Sequence, residues 1–456
     1  MDLDVWLNGN RVAVVSERRR QMTMVYTGAA GDEGIPLVSV SMPVGTGRFG
    51  DRVVRPFFSG LLPEGDARAM IAYNFGLDVA DDMGMLAALG RDCAGALEVL
   101  PAGDVPAQVA SDTVGGLVVD DAEIGRRLGR LPVQPLGIDR DIRVSLAGMQ
   151  PKLLLSRQAD GRWSLPSGGA ASTHILKPAH SYLPGSVANE AFCMALAATA
   201  GLPAAVTTRA IFAGIEVLVS ERYDRIAGDD GRVLRVHQED ACQGLSVLTR
   251  VPERKYEEFG GPSLLRVARL LDRWGGLEAK TALLGQVAFH CLVGNADAHG
   301  KNVSLVHNRD GTVSLAPLYD VMSTVYYTAT GLHMSQTLGL FVNGKRHVDE
   351  VTSDDLVAEA GRWGVRDRHA RGVLRDLLER IPGALEQVAG EVGDVPDNLV
   401  DLVASRVDKA QGEMLAGPRS GAPKRQVAAH GVDTSAHVLP SPPAPPGPGE
   451  QGIALW

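Results

Sequence analysis

Cysteine is scarce in this chain, and no two cysteines are close in sequence. Four stand far apart, at Cys93, Cys193, Cys242 and Cys291, and no Cys-x-x-Cys pair exists. That spacing argues against a zinc ribbon or a thioredoxin-like site. Cys193 and Cys291 lie in apolar helical patterns and read as buried free thiols, which suits a reducing cytoplasm. No signal peptide is expected either, because Met1-Asp2-Leu3-Asp4 lacks the basic and apolar regions of one. The apolar stretch from Leu283 to Gly294 is too short and too mixed to span a bilayer. A cytoplasmic location without a membrane partner is therefore expected. Basic excess is lacking too. With a formal net charge of -9 the surface as a whole is not built to wrap nucleic acid, although a local basic patch or a DNA-binding partner is compatible with it. No internal repeat is visible.

What is present fits a globular protein of several domains. A chain of 456 residues predicts two to four domains, each able to bury a core without staples. Strand and turn signals dominate the first hundred residues. Val5-Trp6-Leu7 and Val12 to Val15 flank Asn8-Gly9-Asn10, a hairpin signal. Leu37 to Met42 alternates like a half-buried strand, and Asp66 to Phe75 and Asp82 to Leu89 predict short helices. A polar stretch from Asp120 to Arg130 precedes a second strand-rich region, Ile142 to Arg225. There Lys152 to Ser156 and His174 to Lys177 read as strands, Val187 to Ala200 as a helix stopped by Gly201-Leu202-Pro203, and Val206 to Phe212 and Val217 to Glu221 as strands. Beyond Gln238 the pattern turns helical, notably at Ser263 to Trp274 and Lys280 to Leu292. The end of the chain, Pro-rich and poor in apolar pattern from Gly417, predicts disorder.

The strongest chemical signal is Gly294-Asn295-Ala296-Asp297-Ala298-His299-Gly300-Lys301-Asn302, which follows an apolar helix. It contains Asp-x-x-x-x-Asn, the spacing of a kinase catalytic loop. A hairpin pattern follows: Val303 to Val306, the turn Asn308-Arg309-Asp310-Gly311, then Val313 to Leu315. It leads into Leu318-Tyr319-Asp320. Phosphoryl transfer needs a carboxylate to orient the attacking hydroxyl and accept its proton, and hard oxygen ligands for magnesium. Asp297 suits the first task, and Asn302 with Asp320 suits the second. One Asp-x-x-x-x-Asn alone would be read as a turn cap; the ordered set with a hairpin between is far more specific.

A phosphate lysine on a strand is supplied by Thr173-His174-Ile175-Leu176-Lys177-Pro178. Asn189-Glu190 opens the apolar face of the next helix, and Glu190 is either the ion-pair partner of Lys177 or a favourable acid in a first helical turn. Ser145-Leu146-Ala147-Gly148-Met149-Gln150-Pro151-Lys152 lies between strands ahead of Lys177. With a single glycine it reads equally as an anion-binding turn or an ordinary hairpin turn. Two decoys compete. Gly45-Thr46-Gly47-Arg48-Phe49-Gly50 matches Gly-x-Gly-x-x-Gly but sits over a hundred residues before Lys177 and shows no following helix pattern; it reads as a flexible loop. Gly275-Gly276-Leu277-Glu278-Ala279-Lys280-Thr281 is a near miss to a P-loop and reads as a helix start.

Together these segments resemble the HipA family of bacterial kinase toxins, from near residue 5 to about residue 410. Leu61-Leu62-Pro63-Glu64-Gly65, Asp92-Cys93-Ala94-Gly95-Ala96, Glu221-Arg222-Tyr223-Asp224-Arg225 and Gln238-Glu239-Asp240 carry the resemblance beside the motifs above. The resemblance implies an α+β fold with a β-rich N-terminal module (residues 1–135), an ATP-binding lobe (136–225), a helical catalytic lobe (226–412) and a Pro-rich tail (413–456). It implies ATP and magnesium as cofactors. Ala147, Gly148, Met149, Gln150, Pro151 and Lys152 would form the phosphate loop, Lys177 the ATP lysine, and Glu221, Arg222 and Tyr223 the adenine hinge. Asp297 would be the catalytic base. His299, Gly300, Lys301, Asn302, Tyr319 and Asp320 would make the remaining nucleotide and magnesium contacts. Ser145 matches the serine that such kinases autophosphorylate to switch themselves off. The family's target is typically an aminoacyl-tRNA synthetase, and its partner a small helix-turn-helix antitoxin of the HipB type that binds the operator.

This chain departs from the family at Tyr223, where many relatives carry Phe, and in its tail; basic DNA-contacting residues are not matched, so DNA is expected only through the antitoxin. Two rival functions share some of these features: a small-molecule or lipid kinase, and a non-catalytic subunit of a DNA-bound repressor complex. The long N-terminal module and Ser145 favour a protein kinase over the first, and intact Asp297, Asn302 and Asp320 argue against the second.

Overall fold

A computed structural model describes residues 1–416 except 32–33, 36, 46, 108–115, 140–141 and 229–232. The Pro-rich tail lies outside them; the last described helix is Leu399–Ala416, so residues 413–416 belong to that helix and not to the tail. The fold is α+β. Five antiparallel strands open it, in the order Arg48–Phe49, Gln21–Tyr26, Asn10–Arg18, Asp2–Leu7, Leu97–Pro101. Asn8 and Gly9 both have positive φ, the turn that matches the twist of a two-residue hairpin. Helices Asp51–Gly60, Gly65–Phe75 and Asp82–Leu89 follow.

A six-stranded antiparallel sheet forms the next layer, in the order Thr207–Phe212, Ile215–Glu221, His174–Pro178, Leu153–Arg157, Trp163–Leu165, Leu117–Val119. Residue 135 is not a packing boundary, because one buried apolar cluster runs from Leu3 to Val219 across both sheets. A second core is built by helices Leu264–Trp274, Gly276–Val293, Ser353–Arg362, Asp367–Glu391 and Leu399–Ala416. Helix Ser186–Thr199 buries Phe192, Cys193 and Leu196 in that second core while Val187 and Ala191 meet Leu218 of the sheet. It therefore joins the two lobes. No described helix is long and apolar enough to cross a membrane.

Three expectations change. Leu37 to Met42 is a tight turn, closed by the Met42 amide on the Ser39 carbonyl, because buried Glu239 accepts hydrogen bonds from Ser39 Oγ at 2.6 Å and the Val40 amide at 2.7 Å. Asp120 to Arg130 is a helix, Asp121–Gly129, capped by the Asp120 carboxylate on the Glu123 amide. Helix Asp51–Gly60 does follow the Gly-rich run at 45–50. Its first turn holds Asp51, whose carboxylate accepts from the Met22 amide at 2.7 Å and Arg55 Nε at 3.0 Å, so an acid already occupies that end.

The layers are tied by a buried ionic cluster. Asp92 accepts from Arg225 Nη2 at 2.9 Å, Ser172 Oγ at 2.6 Å and the Ser172 amide at 2.9 Å. Asp224 accepts from Arg222 at 2.8 and 2.9 Å and from the Gly95 amide at 2.7 Å. Burial works against the charge on Asp92, but Arg225, Arg222 and Arg235 hold its carboxyl down at about 2. Removing one member leaves arginines uncompensated in the interior. Asp92→Ala is expected to cost about 3–5 kcal/mol in urea unfolding, the usual loss when a buried ion pair is broken on one side; a loss below about 1 kcal/mol would contradict this role.

Candidate active site

The apolar helix Gly276–Val293 ends at Gly294, and the chain turns into the segment that carries Asp297. Local bonds fix this segment. Asn295 Oδ1 accepts from the Asp297 amide at 2.9 Å, and the Ala296 amide donates to Thr324 Oγ1 at 2.9 Å. Gly300 allows a close approach: a Cβ there would lie 2.4 Å from Pro262 Cγ and 2.8 Å from Cys242 Sγ. The hairpin Ser304–His307 and Val313–Leu315 then returns the chain to Asp320. Asp320 has φ 60, a conformation non-glycine residues rarely adopt and which is kept where surrounding structure enforces it. Here the neighbouring Leu318 is bridged to the 203–205 segment by two backbone hydrogen bonds of 2.8 Å.

Lys177, Glu190 and Asp320 meet at one point. Lys177 Nζ donates to Glu190 Oε1 at 2.6 Å and also pairs with Asp320 Oδ1. Of the two readings of Glu190, the ion pair is the one observed. Burial opposes the charge on Lys177, but Asp320 and Glu190 raise its pKa above the ordinary lysine range. Burial likewise opposes the charge on Asp320, and Lys177 outweighs it, holding the carboxyl well below the usual range. Asn302 Nδ2 donates to Asp320 Oδ2 at 3.0 Å. Asn302 Oδ1 is buried and has no hydrogen-bond partner. An orphaned amide oxygen beside a carboxylate fits one side of a magnesium ion whose other ligands are phosphate and water. Among the described residues no group of three or more His, Cys, Asp or Glu side chains could enclose a metal by protein ligands alone.

Asp297 faces a different environment. Burial pushes its carboxyl up to about 6, against the nearby charge of Lys255 and a 2.7 Å hydrogen bond donated by Tyr256 to Oδ1. A carboxyl poised there is suited to accept a proton near neutral pH. His299 stacks edge-on against Tyr256 with ring centroids 5.1 Å apart, and burial holds it well below the ordinary histidine range, as a neutral ring.

The loop from Ala147 to Lys152 closes on itself. Lys152 Nζ donates to the Ala147 carbonyl at 2.9 Å. Gly148 has φ 111, and a Cβ there would stand 2.5 Å from Lys152 Nζ, so only glycine fits. Burial, then the charge of Lys177, lowers Lys152 to about 8. Met149 lies against Lys255 and Gly65, while Gln150 Nε2 reaches the Pro178 carbonyl at 3.5 Å and Pro151 is exposed. Ser145 has no exposed surface; its hydroxyl donates to the Leu61 carbonyl at 2.7 Å and its amide to the Asp92 carbonyl at 2.8 Å.

Two expected contacts are reassigned. The Arg222 side chain turns away into the ionic cluster, bonding Asp224, Ser172 Oγ and the Cys93 carbonyl, so only its backbone faces the hinge. Lys301 directs its ammonium to Asp240 at 2.8 Å, the Gly60 carbonyl at 3.3 Å and Glu64 at 3.3 Å; it braces the catalytic loop on the N-terminal module. Glu221 is exposed at the end of its strand, and Tyr223 stacks on Tyr319 with centroids 5.7 Å apart and 30° between planes. Tyr319 in turn donates to the Lys301 carbonyl at 2.6 Å. Sequence reasoning missed Tyr256, Lys255 and Glu64. The first two stand in the charged run Pro252 to Phe259, which has the composition of a surface loop.

Comparison with known proteins covers most of the chain. Residues 144–385 match the HipA-like C-terminal domain and residues 3–100 the HipA N-terminal domain. The putative kinase Y4mE of Sinorhizobium fredii is 38% identical over 405 residues, 86% of this chain and 93% of that protein. The serine/threonine-protein kinase toxin HipA of Shewanella oneidensis is 29% identical over 380 residues, 80% of this chain and 83% of that one. A solved Shewanella oneidensis structure, of HipA with HipB and its operator DNA, matches with a TM-score of 0.76 at 25% identity, over 91% of this chain and 97% of that chain.

The raised Asp297 pKa has a consequence for stability. Its folded value of about 6 lies above the ordinary 3.8, so the folded state binds the extra proton between those values. The ionised carboxylate therefore costs stability above pH 6, and that cost disappears as pH falls toward 4. Asp297→Asn is expected to be more stable than the wild type at pH 7.5, on the order of 1–3 kcal/mol, with the gap closing toward pH 4. Thermal melts across that range check this; a gap that does not depend on pH would remove the burial argument.

Proposed function

The chain belongs to the HipA family of kinases, and we propose that it is an ATP- and magnesium-dependent serine/threonine-protein kinase acting as the toxin of a toxin–antitoxin pair. The convergence of Lys177, Glu190, Asn302 and Asp320 on one point, with Asp297 nearby, carries this reading. Lys177, fixed by Glu190, is placed to hold ATP phosphates. Tyr223 and Tyr319 offer an aromatic wall for adenine, with backbone groups from Glu221 to Tyr223 as the hinge. Magnesium, held by Asn302 and Asp320, would neutralise phosphate charge. Asp297 orients the substrate hydroxyl and takes its proton, with one carboxylate oxygen fixed by Tyr256. A small-molecule substrate would leave the N-terminal module without a purpose, and a purely structural subunit would gain nothing from a carboxyl strained by burial. By likeness to the Shewanella protein solved with HipB and operator DNA, the proposed partner is a helix-turn-helix antitoxin of the HipB type, with DNA contacted through it. The proposed target is a protein serine, with an aminoacyl-tRNA synthetase as the first candidate.

The deciding experiment is incubation with γ-labelled ATP, magnesium and host lysate, followed by identification of the labelled protein. Asp297→Asn is expected to lower transfer by roughly 10²–10⁴-fold, the usual contribution of a general base. Asp320→Ala is expected to abolish magnesium-dependent ATP binding in calorimetry. Near-normal labelling by Asp297→Asn would refute the assignment of the base.

Autophosphorylation at Ser145 is the proposed off-switch. The hydroxyl is sealed against Leu61, so a phosphoryl group cannot be accommodated with the loop in place. It would add roughly -1.5 to -2 charges beside the nucleotide phosphates and drive residues 145–152 out of the site. Mass spectrometry after incubation with Mg-ATP should find phosphate on Ser145, and the modified protein should bind ATP more weakly. Phosphate found only elsewhere, or equal ATP affinity in both forms, would refute the switch and leave the kinase assignment standing.

A further inference from the structure

Lys255 is buried, at 6% exposure, and no carboxylate pairs with it among the described residues. Its ammonium meets only the Met149 sulfur of the phosphate loop, at 3.9 Å, and the Tyr256 ring, at 5.4 Å from the centroid. A thioether is a weak acceptor and a ring face is not a hydrogen-bond acceptor of ordinary strength, so the ammonium lacks a strong acceptor among the described residues. Every other lysine of the cleft has oxygen partners: Lys177 has Glu190 and Asp320, Lys301 has Asp240, and Lys152 has the Ala147 carbonyl.

The position of Lys255 is firmly set. Its carbonyl accepts from the Gly300 amide at 3.0 Å, which docks the turn Pro252–Lys255 on the catalytic loop. The next residue, Tyr256, bonds Asp297 Oδ1 and packs on His299. Gly261 closes the segment so tightly that a Cβ there would lie 2.4 Å from the Arg254 carbonyl and 2.5 Å from that of Tyr256. The ammonium thus stands between the candidate base and the phosphate loop, and the charge of Lys255 is felt at both Asp297 and His299. The group that passes between a base and a phosphate loop is the one being transferred.

We propose that Lys255 is a catalytic residue that binds the γ-phosphoryl oxygens of ATP and stabilises the charge they carry during transfer. The inference rests on the kinase reading above. In the step, the bond from the serine Oγ to the γ-phosphorus forms as the bond from that phosphorus to the β,γ-bridging oxygen breaks. The serine proton passes to Asp297, and ADP leaves with the bonding electron pair. The Lys255 ammonium gives up no proton; its hydrogen bonds shorten onto the equatorial oxygens as the transition state forms.

Lys255→Met and Lys255→Arg test this in the full-length protein. Lys255→Met keeps the length of the side chain and removes the charge. It should lower transfer of γ-labelled phosphate to lysate protein by about 10²–10³-fold, as loss of one preorganised donor does. Calorimetry should find Mg-ATP binding weakened at least tenfold and Mg-ADP binding unchanged, because only ATP carries the γ-phosphate. Its melting temperature should not fall, since an unpaired buried charge has been removed, and Lys255→Arg should restore transfer to within about tenfold. Transfer by Lys255→Met within threefold of wild type, or equal weakening of ATP and ADP, would overturn the proposal. Absence of transfer by the wild type would overturn the kinase reading on which it rests.

Discussion

The charges on Asp92 and Asp224 cannot be left bare in a protein interior, and the arrangement of the active site follows from how they are satisfied. Arg222 and Arg225 flank the hinge residue Tyr223 and are held in the cluster, so the hinge backbone has little freedom. Asp92 pairs its own backbone with the segment before the phosphate loop, through the Val144 bridge and the Ser145 amide. The same acid thus sets where the hinge stands and where the loop begins. Gly95, two residues past Cys93, brings the N-terminal module into the cluster through its amide and carbonyl. Clusters of this kind are often no more stabilising than apolar packing would be. What this one supplies is a single relative placement of three chain segments.

Within the cleft the acids are sorted by their neighbours. Asp320 is surrounded by Lys177 and Lys152 and remains charged. Asp297, pushed up by burial, sits closer to neutrality. Two carboxylates of the same type are therefore suited to two different tasks, one as a permanent anion that could hold a cation and one as a proton acceptor. The strained φ of Asp320 and the ion cost of Asp297 are both stability given up at the site, the usual pattern where function sets local geometry.

The N-terminal module is part of this site and not an appendage. Gly60 and Glu64, at the junction of its first two helices, hold Lys301 of the catalytic loop, and Leu61 holds Ser145. Glu64 is the N-cap of helix Gly65–Phe75, yet its side chain does not cap that helix and its carboxylate faces the lysine instead. Movement of that junction would be felt at both the catalytic loop and the phosphate loop.

Much of the site was legible in sequence because its chemistry is local. Asp297, Asn302 and Asp320 lie on one short stretch whose order and turn residues are dictated by the hairpin between them. Lys177 and Glu190 are thirteen residues apart on a strand and the helix after it. Periodicity also located helices Gly65–Phe75, Asp82–Leu89, Ser186–Thr199, Leu264–Trp274 and Gly276–Val293, since burial on one face leaves a repeating mark, but it did not place Asp51–Gly60, Asp121–Gly129 or the three helices that close the described chain. Contacts made over long separations leave no such mark. Tyr256 reaches Asp297 across 41 residues, Lys301 reaches Gly60 across 241, and Arg222 reaches Cys93 across 129. In sequence a lysine reads the same whether its charge meets phosphate or a protein carboxylate, so nothing there marked Asp240 and Glu64 as partners of Lys301, or singled out Lys255. The sequence by itself determined which groups can carry the reaction. Only the tertiary structure decided which of them are free to do so, because a buried charge binds whatever opposite charge packing brings within reach, and that choice is made by the whole fold.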